Sequence, residues 1–245
     1  MHPVRLIRLL IVPLILLLAG CGSSGSSSSS AAAGASATAS TTASSATSAA
    51  SGGGASGCKT VPVPAAKGPQ HLKAPTVHLD PSKTYTVTVV TNCGTFAFAL
   101  NVKTAPKTSA SFYSLVKQGF YDGLTFHRVA AGFVIQGGDP LGNGSGGPGY
   151  TVVEPPPQNT QYLQGDVAMA KTATDPSGAS GSQFFVITAQ NATASAGLTP
   201  DYALVGKVVS GLPVVLSIGA LPTNPQGDGA PSPTVVMSRV TVSTS

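Results

Sequence analysis

The sequence predicts a mainly antiparallel β fold, arranged as a closed barrel with two helices, over residues 83–245. Three observations favour this class. Short runs of alternating apolar and polar residues recur along this part of the chain. Turn-forming residues separate them, drawn from the 29 Gly and 20 Pro of the sequence. Only two segments have apolar residues at helical spacing. Residues 83–245 are numerous enough to bury one hydrophobic core.

The predicted strands begin with a hairpin. Residues 85–89 and 95–100 alternate on either side of an Asn-Cys-Gly turn at 92–94, a pattern typical of two paired strands. Shorter strands are predicted from the runs that follow, at 125–129, 133–136, 167–170, 184–188, 203–209 and 234–242.

Two helices are predicted between these strands. The first starts at Pro106, carries Phe112, Leu115 and Val116 at the i, i+3, i+4 spacing of one helix face, and ends at Gly119. The second covers residues 212–218, a short apolar segment after Gly211.

The first 20 residues are predicted to be a signal peptide. Arg5 and Arg8 precede an apolar run over 9–18, which is shorter than the roughly 20 residues needed to cross a bilayer. The following Leu-Ala-Gly-Cys, residues 18–21, resembles the lipobox of bacterial lipoproteins, in which the signal peptidase cuts before a diacylglycerol-modified cysteine. This resemblance implies lipidation of Cys21, as on palmitate-bearing lipoproteins, and a location at the extracytoplasmic face of the cell membrane.

A tether is predicted over residues 21–82, made of the lipidated cysteine, a disordered Ser/Ala/Gly/Thr segment and then a Pro-rich segment. Residues 22–57 contain only Gly, Ser, Ala and Thr, so they have no large apolar side chain to bury, and residues 59–82 are rich in proline. A coil of this kind spans roughly 30–36 Å on average over its Gly/Ser-type part. With Cys21 lipidated, Cys58 and Cys93 remain, and in an exported protein such a pair is expected to form a disulfide.

Charge and spacing argue against several classes of function. Without Arg5 and Arg8 the formal charge falls from +5 to +3, and the lysines are scattered, so no nucleic-acid partner is expected. The cysteines lack zinc-site spacing, and no metal site or cofactor is predicted. Residues 142–147 match G-x-G-x-x-G, but Pro148 follows at once where a nucleotide-binding helix should begin.

A serine hydrolase is also disfavoured. Ser182, His127 and Asp139 are the residue types of a catalytic triad, but no G-x-S-x-G elbow surrounds any serine, and nothing in the sequence brings the three together.

Two segments carry the functional information, residues 126–139 and 181–188. They read as aromatic strands that carry Arg128, Gln136 and Gln183, which suits a groove that holds a peptide backbone over an apolar pocket. Both closely resemble the signature stretches of cyclophilin-type peptidyl-prolyl cis-trans isomerases. The likeness extends in order through residues 105–108, 143–147, 167–170 and 204–209. It implies an eight-stranded antiparallel barrel capped by two helices, and an isomerase activity without a cofactor.

The resemblance also implies the site. Arg128 is expected to be catalytic, donating a hydrogen bond to the prolyl nitrogen in the twisted state, together with Phe133 and Gln136. The remaining positions are expected to bind substrate: Val134, Gly144, Ala170, Lys171, Gln183, Phe185, Leu198 and Tyr202. Phe126 and Phe184 are assigned to the core instead, because alternation points them away from Phe133 and Phe185.

Two positions depart from the family pattern. Lys171 stands where the family has an asparagine in the groove, and Tyr202 stands where it usually has a histidine; a short insertion lies around 174–176. The sequence therefore predicts a monomeric, lipid-anchored isomerase that acts on proline-containing exported polypeptides. A catalytically weak peptide-binding chaperone or adaptor with the same fold remains the alternative.

Overall fold

The computed structural model describes residues 57–245. The predicted signal peptide, Cys21 and most of the Gly/Ser-type tether lie outside the described residues. The described part contains 13 strands and three helices. In chain order they are β1 (Tyr85–Thr91), β2 (Gly94–Leu100), α1 (Pro106–Lys117), β3 (Thr125–Phe126), β4 (Arg128–Ala130), β5 (Val134–Gly137), β6 (Val152–Val153), β7 (Asp166–Met169), β8 (Ala179–Ser180), β9 (Phe184–Ile187), α2 (Ala192–Ala196), β10 (Leu204–Ser210), α3 (Leu212–Gly219), β11 (Thr223–Asn224), β12 (Asp228–Pro231) and β13 (Val235–Thr244).

The fold is mainly β, as predicted, but it is not a closed eight-stranded barrel. Eleven strands form one antiparallel sheet in the order β11-β12-β4-β5-β9-β7-β10-β2-β1-β13-β3, and β6 pairs separately with β8. No ladder joins the two end strands in the described sheet, which is a curled half-barrel. β3 nevertheless lies close to β5, since a Cβ added to Gly137 would stand 2.8 Å from the carbonyl oxygen of Thr125. The curl brings these strands together without pairing them.

One predicted strand is divided in two. The run at 125–129 breaks at His127, so β3 pairs with β13 while β4 pairs with β5 and β12. Phe126 and Val129 both lie in the core although they are three positions apart, so the alternation changes phase across His127 and Arg128. The break directs the two halves of the run to different neighbours in the sheet.

The core fills the inner face of the sheet. Phe112, Leu115 and Val116 of α1 pack there as their spacing predicts, with the Phe112 ring centroid 5.4 Å from that of Phe184.

The predictions of α1 and α3 are confirmed. α2 is not predicted, because its five residues have no apolar periodicity; its start is fixed by the side chain of Asn191, which accepts a hydrogen bond from the amide of Ala194. None of the described helices is long and apolar enough to cross a bilayer.

Residues 58–80 form an extended strap along the surface of the domain, without helix or strand. A disulfide joins Cys58 to Cys93, which confirms the predicted pairing. The backbone amides of Lys67 and Leu72 donate hydrogen bonds to the carbonyl oxygens of Pro140 and Pro148, each at 2.8 Å. The Lys67 ammonium donates to the carbonyl oxygen of Phe120 at 2.8 Å. The strap is therefore attached at several points between the disulfide and the first strand.

Replacing Cys93 with Ser should lower the free energy of unfolding by about 2–4 kcal/mol, because the loop closed by the disulfide no longer restricts the unfolded chain. Urea unfolding of the oxidised wild type and the variant measures the difference. The wild type in reducing buffer should match the variant; equal stability of all three samples would contradict the prediction.

Candidate active site

The register of four neighbouring strands aligns the central residues of the site. Arg128 on β4 lies opposite Gln136 on β5, which lies opposite Phe185 on β9, which lies opposite Ala168 on β7. Directly opposed residues point to the same face of a sheet. The guanidinium, the amide and the aromatic ring therefore form one row across the outer face, opposite to the core.

The predicted apolar pocket residues form a cluster on this outer face. Phe185 and Val134 are buried in it, and the half-buried members include Phe133, Leu198 and Tyr202 as well as Ala170. Phe126 and Phe184 belong to the main core on the other face, where the alternation places them. The two adjacent phenylalanines of β9 thus serve different sides of the sheet.

A chain of hydrogen bonds runs from Arg128 to the glycine-rich loop. Arg128 Nη1 donates to Gln136 Oε1 at 3.0 Å, and Gln136 Nε2 donates to Gln183 Oε1 at 3.1 Å. Gln183 Nε2 in turn donates to the carbonyl oxygens of Gly144 and Gly146, at 2.8 and 2.9 Å. The structure therefore connects Arg128, Gln136 and Gln183, three of the predicted polar site residues, in one network with the loop.

Asp228 also contacts the guanidinium, and nothing in the sequence singles it out. Its Oδ1 accepts from Arg128 Nε and its Oδ2 from Nη2, both at 2.7 Å. Asp228 lies 100 residues further along the chain. It sits in a Gly- and Pro-rich hairpin whose sequence has no strand alternation, so only the pairing of β12 with β4 reveals the contact.

Asp139 organises the loop that contains Gly144. Its buried carboxylate accepts hydrogen bonds from the backbone amides of Leu141, Asn143 and Gly144, at 2.8, 2.9 and 2.5 Å. A fixed loop presents its carbonyl groups to Gln183 in a defined position. The sequence signal for this role is the Asp followed by turn residues, which favours local side-chain to backbone bonding.

The residues of the rejected triad are not bonded to one another. Ser182 Oγ donates to the carbonyl oxygen of Gly138 at 2.8 Å, and Asp139 holds its loop. Neither ring nitrogen of His127 has a hydrogen-bond partner, and burial lowers the pKa of this imidazole. The three side chains therefore do not form a nucleophile with its base.

Lys171 and Tyr202, the two departures from the family pattern, lie together. Lys171 Nζ lies 2.6 Å from Asp201 Oδ2 and 5.5 Å from the centroid of the Tyr202 ring. The Lys171 side chain is only 4% exposed, and its hydrogen bond lowers the pKa of Asp201. The Tyr202 ring packs edge-on against Phe185, 5.5 Å away. Lys171 is therefore held at the pocket wall by a carboxylate.

Tyr162 supports this wall from behind and is not among the predicted site residues. Its hydroxyl donates to the carbonyl oxygen of Tyr202 at 2.6 Å and accepts from the Tyr202 amide at 3.0 Å. Burial raises the pKa of Tyr162 to about 12, so the phenol stays protonated and keeps its donor. A buried tyrosine gives no sequence signal that distinguishes it from any core aromatic.

A cavity of about 680 Å³ lies next to the network. Gln136, Gln183 and Ala170 line it together with the glycine-rich loop, and Pro69 and Gln70 of the strap contribute to its wall. Within residues 57–245, no group of three or more His, Cys, Asp or Glu side chains is placed to hold a metal ion.

The arrangement offers hydrogen-bond donors beside an apolar pocket. A guanidinium has five N–H groups. Asp228 accepts two of those of Arg128 and Gln136 accepts one, so two remain for a bound molecule.

Comparison with known proteins decides the family. The sequence model described as "Cyclophilin type peptidyl-prolyl cis-trans isomerase/CLD" matches residues 86–242. The chain belongs to this family. This confirms the resemblance on which the sequence prediction rests.

The chain is also similar to curated peptidyl-prolyl cis-trans isomerases from bacteria. A peptidyl-prolyl cis-trans isomerase of Helicobacter pylori is 42% identical over 120 residues, which cover 44% of this chain and 72% of the relative. Isomerase B of Bacillus subtilis is 44% identical over 116 residues, covering 47% and 76%. Isomerase B of Streptomyces anulatus is 39% identical over 178 residues, covering 64% and 95%. The prediction that this cyclophilin-type chain is an isomerase enzyme is confirmed.

A solved structure agrees with the fold. The crystal structure of a cyclophilin-type isomerase of Cryptosporidium parvum, determined in the presence of the dipeptide Ala-Pro, matches with a TM-score of 0.57 at 28% identity. The match covers 64% of this chain and 98% of that one.

Replacing Gln183 with Ala should lower kcat/KM about tenfold. The side-chain amide of Gln136 loses the acceptor for its Nε2, and the loop carbonyls of Gly144 and Gly146 lose their donor. An isomerisation assay with an X-Pro peptide measures the loss. Gln118→Ala is the matched control, since the Gln118 amide bonds only to Ser114 within α1. Equal kcat/KM values for the two variants would show that the network does not support the site.

Proposed function

We propose that this isomerase catalyses rotation of X-Pro bonds in exported polypeptides at the outer face of a membrane, with Arg128 as the group that stabilises the twisted amide. One observation carries the mechanism: Arg128 keeps two free N–H groups and lies on the same face of the sheet as the apolar cluster around Phe185. A proline ring in the cluster would present its own nitrogen to these donors.

The chemistry requires the loss of amide resonance. The C–N bond of a planar peptide has partial double-bond character, and rotation about it has a barrier of about 18–20 kcal/mol. In the twisted state the nitrogen is pyramidal and regains a lone pair. A hydrogen bond from Arg128 to this lone pair is stronger in the twisted state than in either planar state, and only such differential binding accelerates the reaction.

The remaining residues hold the substrate for this step. Phe133, Val134, Phe185 and Leu198 provide apolar surface for the proline ring. Gln136 fixes one edge of the guanidinium, and Gln183 fixes Gln136, so the donors are oriented before substrate binds. Preorganised donors avoid a reorganisation cost during the reaction.

The proposed location rests on the amino terminus and on the cysteines. The charged and apolar segment before Cys21 and its lipobox-like sequence favour export and lipidation. A disulfide between Cys58 and Cys93 accords with an oxidising compartment. The Gly/Ser-type segment would hold the domain away from the membrane while leaving it free to reorient.

The Arg128→Ala variant should lose about 10²–10³-fold in kcat/KM, the loss typical of removing one donor that stabilises a transition state. A protease-free assay of cis-trans exchange in an X-Pro peptide, with the full chain in detergent, measures it. Matched circular dichroism spectra would show that the fold is retained.

Two other outcomes would change the proposal. An active Arg128→Ala variant would assign the chemistry to another group. A folded wild type that binds X-Pro peptides without accelerating their exchange would favour the peptide-binding chaperone or adaptor, with Lys171 and Tyr202 as the first residues to revert to the family pattern.

Replacing Cys21 with Ser should abolish incorporation of labelled palmitate and move the protein from the membrane fraction to the soluble fraction of an expressing bacterium, because the acyl chains provide the attachment. Cys93→Ser is the matched control and should stay labelled. An unlabelled wild type, or a labelled Cys21→Ser variant, would contradict lipidation at this residue.

A further inference from the structure

Asp228 is the carboxylate that pairs with the proposed catalytic arginine. Its two oxygens lie 2.7 Å from Arg128 Nε and 2.7 Å from Arg128 Nη2, a parallel two-bond contact. Resting on the function proposed above, we propose that Asp228 is a positioning residue for isomerisation. It fixes the plane of the Arg128 guanidinium so that the two free N–H groups face the apolar pocket.

The backbone of the β11–β12 hairpin places this carboxylate. Asp228 pairs with Ala130 of β4, two residues beyond Arg128, and the Ala131 amide donates to the carbonyl oxygen of Gly227 at 2.8 Å. The turn itself is tight, since a Cβ added to Gly229 would lie 2.5 Å from the carbonyl group of Asn224. The hairpin is therefore fixed to the same strand that carries the arginine.

Without Asp228, one hydrogen bond would orient the guanidinium. Gln136 accepts only from Nη1, and a single bond at the end of a long, flexible side chain leaves the group free to rotate. The two bonds to Asp228 add fixed points at Nε and Nη2. Three fixed points define a plane, so the direction of the remaining donors is set before a peptide binds.

The pair is suited to orientation more than to stability. The side chains are 37% and 54% exposed, and an ion pair so accessible to water contributes little to the free energy of folding. Its geometry is nevertheless specific, because the planar fork of arginine matches the two oxygens of a carboxylate. Removal of the carboxylate should therefore affect the reaction more than the fold.

Asp228 could instead compete with the substrate for the Arg128 guanidinium. A carboxylate that occupied the guanidinium in place of substrate would inhibit, and its removal would raise activity. The donors left free argue against this, because the groups that Asp228 uses are Nε and one N–H of Nη2, while one N–H on Nη1 and one on Nη2 stay available.

The test compares Asp228→Asn and Asp228→Glu in the full chain in detergent, with an X-Pro peptide as substrate. Asp228→Asn should lower kcat about tenfold and change KM less than twofold, because the donor is misdirected while the pocket is intact. Asp228→Glu keeps the charge and both oxygens and should recover at least a third of the wild-type kcat. Asp80→Asn is the matched control, since this exposed carboxylate bonds only to Ser82.

A double-mutant cycle separates positioning from a general structural effect. In an Arg128→Ala background, Asp228→Asn should change kcat less than twofold. The Nε–H resonance of Arg128 in ¹⁵N-labelled protein should shift and exchange faster with water in Asp228→Asn. An unchanged kcat, a raised kcat, or a tenfold loss that persists without Arg128 would each overturn the proposal. An inactive wild type would instead overturn the proposed function.

Discussion

The register of the sheet across β4, β5, β9 and β7 is the constraint on which the site depends. Each of these strands has one side chain in the core for every side chain in the site. A shift of one residue in the pairing would turn Arg128 inward and place a core residue on the outer face. The packing of core residues such as Phe184 and Ile135 therefore also determines the position of the row formed by Arg128, Gln136 and Phe185. Stability and site geometry are set by the same pairing.

The conformation of the glycine-rich loop beside the site depends on hydrogen bonds between polar side chains and its backbone. Asp139 satisfies three backbone amides of one loop, and Gln183 donates to two of its carbonyl groups. Loops have no ladder to define them, so such bonds determine their shape. The strap bonds to the end of the same loop through Leu72 and Pro148. The wall of the cavity is thus built from three segments that are distant in sequence.

Alternation in the sequence was sufficient to separate Phe184 from Phe185 and to place the hairpin, and helical spacing and apolar content placed α1 and α3. It failed where order comes from contacts between distant segments. The run at 125–129 is predicted as one strand, but its core residues Phe126 and Val129 are three positions apart, and this change of phase coincides with the break at His127. The expectation of a closed barrel fails because β3 lies against β5 without pairing. The role of Asp228 could not be predicted from the sequence for the same reason. The Gly- and Pro-rich hairpin has no residue periodicity that would indicate its pairing with β4.

The charges at the site are arranged so that recognition depends little on the charge of the substrate. Arg128 is paired with Asp228, and Lys171 with Asp201, so each cation beside the pocket has its own carboxylate. What remains for a bound chain is an apolar surface and unpaired N–H groups. A proline ring and a backbone are common to every X-Pro segment, whereas the flanking side chains vary. Under the proposed function, such a site would recognise the ring and backbone of the X-Pro bond more than the sequence around it, as a catalyst that acts on many different chains requires.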